Sequence, residues 1–223
     1  MNSPRAYLFD YGGTLDTGGC HWGQVLWRAW QQAGVPVGEA AFREAYVFAE
    51  RTLGRGGIIG PKDTFRQTLD VKLRLEMEYA GCMDWHDVVL EAVYEQTRRH
   101  TAHSVEVLTK LAERCPLGLV TNFYGNMHTV LCEFGFDGLF RSVTESAVAG
   151  VRKPDPEIFL MGVASMGLSP AEVTVVGDSI ENDIKPACEA GCQTVWLRGE
   201  QWTDKPVDER IPHQVITDLN ELL

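Results

Sequence analysis

No apolar run in the 223 residues approaches the roughly 20 that a membrane-spanning helix needs. A secretory leader needs an apolar core of about 7–15 residues; here Asp10 follows only Ala6, Tyr7, Leu8 and Phe9. There is no C-x-x-C pair and no histidine at zinc spacing from a cysteine. The six cysteines, Cys20, Cys82, Cys115, Cys132, Cys188 and Cys192, are scattered. They are expected to be reduced, mostly buried small apolar residues. Internal repeats and low-complexity segments are also missing. Basic residues are few, 20 Lys and Arg against 31 Asp and Glu, for a net charge of −11. Nucleic acid and anionic membranes need clustered Lys and Arg, so neither is expected as a partner. A small phosphorylated ligand needs only one local positive pocket and stays open. With 44% hydrophobic and 23% charged residues the chain is ordinary globular material, not a disordered one. The expectation is a cytoplasmic protein of one or two domains, its oligomeric state undetermined.

Residues 5–9 read as a short buried strand ending at Asp10, followed by a loop carrying Gly12, Gly13, Gly18 and Gly19. From about 21 to 100 the pattern is helical: Trp22, Val25, Leu26, Ala29, Trp30 and Ala33 recur at three- and four-residue steps. Val71, Leu73, Leu75 and Met77 do so less cleanly, followed by Val88, Val89, Ala92 and Val93. From about 104 helices and strands alternate. Helices are expected at 105–112, 126–134, 156–166 and 181–190, and strands at 117–120, 139–143, 173–176 and 194–197. A last edge strand at 215–216 precedes a short terminal helix, and the polar stretch 199–212 reads as loop. Such alternation implies a parallel sheet covered by helices, an α/β fold. The first strand is separated from the others by some 90 residues, so a helical insertion is expected after it, with both ends of the chain building one core.

Three strand ends carry polar groups: Asp10, Thr121-Asn122 and Gly177-Asp178-Ser179. In open parallel sheets ligands bind beyond the carboxyl ends of the strands. Two carboxylates, a backbone carbonyl and water suit Mg²⁺. A hydroxyl and backbone N–H groups beside the ion would hold phosphate oxygens, and Lys153 would supply positive charge. This is a candidate phosphoryl-transfer site.

Four segments in this order resemble the haloacid dehalogenase (HAD) superfamily over nearly the whole chain: Asp10-Tyr11-Gly12-Gly13-Thr14-Leu15, Thr121-Asn122, Lys153-Pro154-Asp155-Pro156-Glu157-Ile158-Phe159, and Gly177-Asp178-Ser179 with Asp183. The resemblance implies a Rossmann-like core, residues 1–18 and 101–223, with a small helical cap domain at 19–100. It implies that Asp10 is a nucleophile forming an aspartyl-phosphate and that Thr121 binds the transferring phosphoryl with help from the Asn122 N–H. Lys153 would neutralise charge on Asp10 and on the phosphate. Asp10, the Gly12 carbonyl, Asp178 and Asp183 would surround Mg²⁺, and the substrate would be a small phosphorylated molecule.

The sequence departs from the family's phosphatases at position 12, where Gly12 stands in place of a second Asp. The carbonyl of Gly12 still serves a metal, but no carboxyl is present to protonate the leaving oxygen and then activate water. General acid–base help is worth about 10²–10⁴-fold. Asp16, His21 and Tyr11 are the nearby substitutes. Substrates whose leaving group needs no acid, acyl or aryl phosphates, are the other way out. Three further readings accompany these. A dehalogenase also lacks this Asp but needs no Mg²⁺, which Gly177-Asp178-Ser179 argues against. A phosphonate C–P hydrolase would require a cap lysine, for which Lys62 is the candidate. A catalytically silent module would only sense a phosphorylated ligand. Gly54–Gly60 reads as a loop between helices, with Arg55 and Lys62 as weak substrate contacts. Trp22, Leu26 and Trp30 share a helix face expected to pack within the cap, with His21 and Trp22, where the chain enters the cap, as the alternative pocket neighbours.

Overall fold

A computed structural model describes residues 4–203 and 206–223. Its strands are β1 (Ala6–Phe9), β2 (Leu117–Thr121), β3 (Phe140–Glu145), β4 (Val173–Gly177), β5 (Gln193–Leu197) and β6 (Gln214–Ile216). They pair in the order β3-β2-β1-β4-β5-β6, every pair parallel. β1 therefore lies inside the sheet, with β2 and β4 on either side. The chain leaves β1 toward one edge and later returns to its other side at β4. That reversal of direction opens a crevice beyond the strand ends.

Both faces of the sheet are covered, as a parallel sheet requires. On one face Phe9, Leu117, Leu119 and Val176 join Val107, Leu108 and Leu111 in the larger apolar core. On the other, Ala6, Leu8, Val120, Val173 and Val175 pack on Ile158, Phe159, Val163 and Met166. The alternation along β1 (Ala6 and Leu8 one way, Phe9 the other) follows from the two-residue period of a strand.

Helices α1 (Trp22–Ala33), α2 (Glu39–Leu53), α3 (Phe65–Ala80) and α4 (His86–Ala112) occupy the chain between β1 and β2. His21 caps α1 by accepting from the Gly23 amide, and Thr64 with Gln67 closes a reciprocal capping box on α3. Within this insert Trp30 is fully buried, edge-on to Phe42 at 5.0 Å between ring centroids.

α4 differs from the sequence expectation. A helix ending near 100 and another beginning near 104 are one continuous 27-residue helix. Its first half buries Val89, Leu90 and Val93, and its second half buries Val107, Leu108 and Leu111 against the sheet. No Gly or Pro stands between to break it. Val88 points outward, because only one face of the helix meets the insert.

The remaining helices are α5 (Met127–Glu133), α6 (Ser146–Ala149), α7 (Glu157–Ser165) and α8 (Lys185–Glu189). The helix expected at 181–190 is split: Ile180–Ile184 forms a π-helical turn before α8, with Pro186 near the α8 start. The terminal helix is a 3₁₀ turn, Leu219–Leu222. The 199–212 stretch carries no helix or strand where described, and Asp204 and Lys205 within it lie outside the described residues. No helix among the described residues is long and apolar enough to cross a membrane.

Candidate active site

Asp10 follows β1, Thr121 ends β2 and Asp178 follows β4, so the parallel register brings all three to one end of the sheet. Lys153 comes from the loop before α7. Its Nζ donates to Asp10 Oδ1 and, at 2.7 Å, to Asp183 Oδ1. The other oxygen of Asp183 accepts from the Ser179 amide at 3.0 Å. The π-helical turn thus folds Asp183 back over the end of β4, a close approach that requires Gly177, because a Cβ there would collide with Asp183. Gly13 is constrained in the same way. Its φ is +101°, and an added Cβ would stand 2.5 Å from the Asp178 carboxylate.

Asp10, Asp178, Asp183 and Lys153 are all buried. Carboxylate oxygens from the three acids lie within 4.8 Å of one another. Burial pushes Asp10 up to about 6, with the Asp183 charge adding to the rise and Lys153 opposing it. Burial and the charges of Asp183 and Asp10 push Asp178 well above the usual carboxylate range. Burial alone would lower Lys153, but Asp10 and Asp183 outweigh it and hold its ammonium protonated. Three carboxylates beside a single lysine leave negative charge in excess, and an all-oxygen donor set of this kind fits a hard divalent cation.

Two polar groups of this floor stand out. Thr121 Oγ1 is buried with no hydrogen-bond partner, and Thr121 lines the cleft. An orphaned hydroxyl of that kind carries a desolvation cost that a ligand oxygen would relieve. Asn122 clamps the Lys153 backbone from both sides, its Nδ2 donating to the carbonyl at 3.0 Å and its Oδ1 accepting from the amide at 2.9 Å. The sequence reading assigned Asn122 only its backbone N–H and missed this clamp. It also missed Thr14, whose Oγ1 stands 3.1 Å from both Asp10 Oδ2 and Asp178 Oδ1. Its place four residues after Asp10 in the first motif was the available signal.

Above the floor is a cavity of about 200 Å³ that also takes in Gly12, Asp16, His21 and Trp22, and, from α2 and α3, Tyr46, Glu50, Phe65, Thr68, Leu69 and Lys72. Several expectations are corrected here. Trp22 packs against Phe65 of α3 and also lines this cavity, its indole N–H donating to Asp16. Lys62 and Arg55 are exposed and do not line the cavity; the lysine from the insert that does is Lys72. Lys72 is itself tied to Glu50 and lies 3.6 Å from Glu76, and these carboxylates hold it well above the ordinary lysine range, against the effect of burial.

Of the three groups near Gly12, Tyr11 turns away and packs edge-on to Phe123 and Phe136. His21 lines the cavity, but its Nδ1 accepts from the Gly23 amide, its ring stacks on Trp202 at 5.2 Å, and burial lowers it to about 4. Asp16 is buried beside the cavity, and burial raises it to about 8. The Gly13 amide donates to its Oδ1 at 2.7 Å and Trp22 Nε1 to its Oδ2 at 3.0 Å.

Residues 4–191 match the haloacid dehalogenase-like hydrolase family. Among curated relatives, the phosphoserine phosphatase of Thermus thermophilus is 28% identical over 162 residues, 71% of this chain and 61% of that protein. The glyceraldehyde 3-phosphate phosphatase of Methanocaldococcus jannaschii is 31% identical over 145 residues, 64% of this chain and 61% of that protein. The matches thus span about three fifths of these relatives' lengths. Among solved structures, a dehalogenase with an intermediate complex superposes with a TM-score of 0.64 at 20% identity, covering 100% of this chain and 96% of that one. The magnesium-bound HAD-hydrolase YfnB of Bacillus subtilis gives 0.59 at 19% identity, covering 99% and 97%. At these identities the structural likeness speaks for the fold, and the family match over most of the sequence carries the assignment: the chain belongs to the haloacid dehalogenase-like hydrolases.

Proposed function

We propose that the chain is a Mg²⁺-assisted phosphohydrolase acting on a small phosphorylated molecule, with Asp10 as the nucleophile that takes the phosphoryl group. The observation that carries this is the buried group of Asp10, Asp178 and Asp183 with Lys153. Such a cluster is suited to a dication and a phosphate, whereas carbon–halogen cleavage has no use for a cation site built from Asp178 and Asp183. The phosphatase relatives support the same class of substrate.

Asp10, the Gly12 carbonyl, Asp178 and Asp183 would hold Mg²⁺, which when bound supplies charge to offset the anionic nucleophile and phosphate. The protein's own part follows from the geometry. Lys153 holds Asp10 in position and opposes the rise in proton affinity that burial causes, favouring the ionised carboxylate that attacks. Thr121 Oγ1 donates to a phosphoryl oxygen with the Asn122 N–H. Residues 1–18 and 101–223 act as the core and 19–100 as a cap that closes the cavity to bulk water, with α4 joining the two as one rigid helix. A cytoplasmic setting goes with this reading, and nucleic acid and membranes are not among the proposed partners.

The test is hydrolysis of acetyl phosphate and p-nitrophenyl phosphate with and without Mg²⁺. Turnover that needs Mg²⁺, is lost with EDTA and falls at least about 10³-fold in Asp10→Asn is the expected outcome. No turnover on any member of a phosphate panel overturns it in favour of a module that only binds the ligand.

A further inference from the structure

We propose that Asp16 is the proton donor and acceptor that this site lacks at position 12. The proposal rests on the phosphohydrolase reading and deepens it.

Position carries the argument. Trp22 Nε1 lies 3.9 Å from the Cβ that any side chain at residue 12 would add. The same Nε1 donates to Asp16 Oδ2 at 3.0 Å. A carboxylate hung from position 12 and the carboxylate of Asp16 therefore converge on one indole N–H, from two points of the same loop. The loop makes this possible. The amides of Thr14 and Leu15 both donate to the Tyr11 carbonyl, at 3.2 and 2.9 Å. This tight turn carries Asp16 back so that the Gly13 amide donates to its Oδ1 at 2.7 Å. Asp16 is 1% exposed, yet it lines the same cavity as Asp10, Thr121 and Lys153.

The surroundings suit a proton carrier. Asp10 and Asp183 share Lys153, whereas no Lys, Arg or His forms an ion pair with Asp16 among the described residues. Its contacts are two neutral N–H donors, one on each oxygen, and a carboxyl oxygen has a second lone pair for a proton or for the leaving oxygen. Tyr11 and His21 offer nothing comparable, the first facing the apolar core and the second committed to capping α1.

In the first step an Asp10 oxygen attacks phosphorus. The bond from phosphorus to the leaving oxygen breaks, and that oxygen keeps the electron pair and takes the proton of Asp16. In the second step the Asp16 carboxylate accepts a proton from water as the water oxygen attacks phosphorus. The bond to Asp10 breaks with its pair returning to the carboxylate, and inorganic phosphate leaves with Asp16 protonated again. Trp22 is the positioning residue that aims the Asp16 carboxyl.

The test uses the full chain with Mg²⁺ and p-nitrophenyl phosphate, whose leaving group departs without an acid. In Asp16→Asn the first step should survive and the second should not. The expected result is a burst of one p-nitrophenolate per site, an acid-stable phosphoenzyme, and steady turnover slower by about 10²–10⁴-fold. A structural role would instead lower burst and turnover together. Adding Gly12→Asp to Asp16→Asn should restore steady turnover, since the new carboxylate reaches the same indole N–H. Should Asp16→Asn fail to fold, Trp22→Phe decides: a burst followed by slowed turnover supports the role, and an unchanged steady rate overturns it. Wild-type turnover in Asp16→Asn also overturns it. Loss of Asp10-dependent chemistry in the wild type would instead remove the phosphohydrolase reading itself.

Discussion

Two adjacent glycines in the first loop have opposite roles. Gly13 adopts φ +101° with its missing Cβ directed at Asp178, so both backbone conformation and space exclude a side chain. Gly12 has open space, with Trp22 no nearer than 3.9 Å to an added Cβ and no left-handed φ. Gly12→Ala should therefore change stability by less than about 1 kcal/mol, and the lower entropy of its unfolded chain favours it. Gly13→Ala should cost on the order of 2 kcal/mol or more and displace Asp178. Urea midpoints of the two variants check this; equal midpoints would mean that the loop relaxes freely around position 13. Both residues are simply glycine in the sequence, and their difference is a matter of φ and of what stands opposite.

At the scale of elements, α2 and α3 meet over a buried charge cluster. Lys72 lies between Glu50 and Glu76 and 4.3 Å from the centre of the Tyr46 ring. Glu76 is fully buried, and neither of its oxygens has a hydrogen-bond partner. Burial raises it to about 7, with Lys72 opposing and Glu50 adding to the rise. A carboxyl that holds its proton more tightly when folded stabilises the fold below its unfolded pKa of about 4.5. That contribution is lost as pH rises through about 7. Glu76→Gln stays neutral throughout, so its stability relative to wild type should rise between about pH 5 and about pH 8. The change should be on the order of 2–3 kcal/mol. Chemical denaturation at the two pH values measures it, and a pH-independent difference would show that Lys72 keeps Glu76 ionised. The helical rhythm of 65–80 was legible in the sequence. The pairing of Lys72 with a glutamate 22 residues earlier was not, because it depends on how two helices pack.

At the scale of the molecule, the sheet gathers like charges that the fold must tolerate. Lys153 offsets only part of the charge of Asp10, Asp178 and Asp183. A ligand bound by the folded state alone stabilises it by mass action, about 2.7 kcal/mol at a concentration 100 times its dissociation constant. Mg²⁺ should therefore raise the melting temperature of the wild type by several degrees, and Asp178→Asn should abolish the effect. Differential scanning calorimetry with Mg²⁺ titrated against EDTA checks this. An equal shift in the variant would place the ion elsewhere. The loop after β5 couples the parts further. Trp202 stacks on His21, meets Tyr46 at a tilt with 4.9 Å between ring centroids, and carries Arg43 over its ring, so the end of the sheet is fastened to α1 and α2.

The strands and most helices were legible in the sequence, because buried parallel strands read as short apolar runs and one-sided helices repeat every three or four residues. Asp10, Thr121, Lys153, Asp178 and Asp183 were legible too, since strand ends and motif order mark them without any knowledge of contacts. The α4 join was not, because two helical patterns a few residues apart look the same whether or not the backbone runs straight through. Nor was the choice of Lys72 over Lys62, or of Asp16 over His21 and Tyr11. Sequence proximity to Gly12 treats those last three alike. Asp16 and His21 both line the cavity, and only the folded backbone commits His21 to capping α1, turns Tyr11 away, and brings Asp16 against the Gly13 amide and the Trp22 indole.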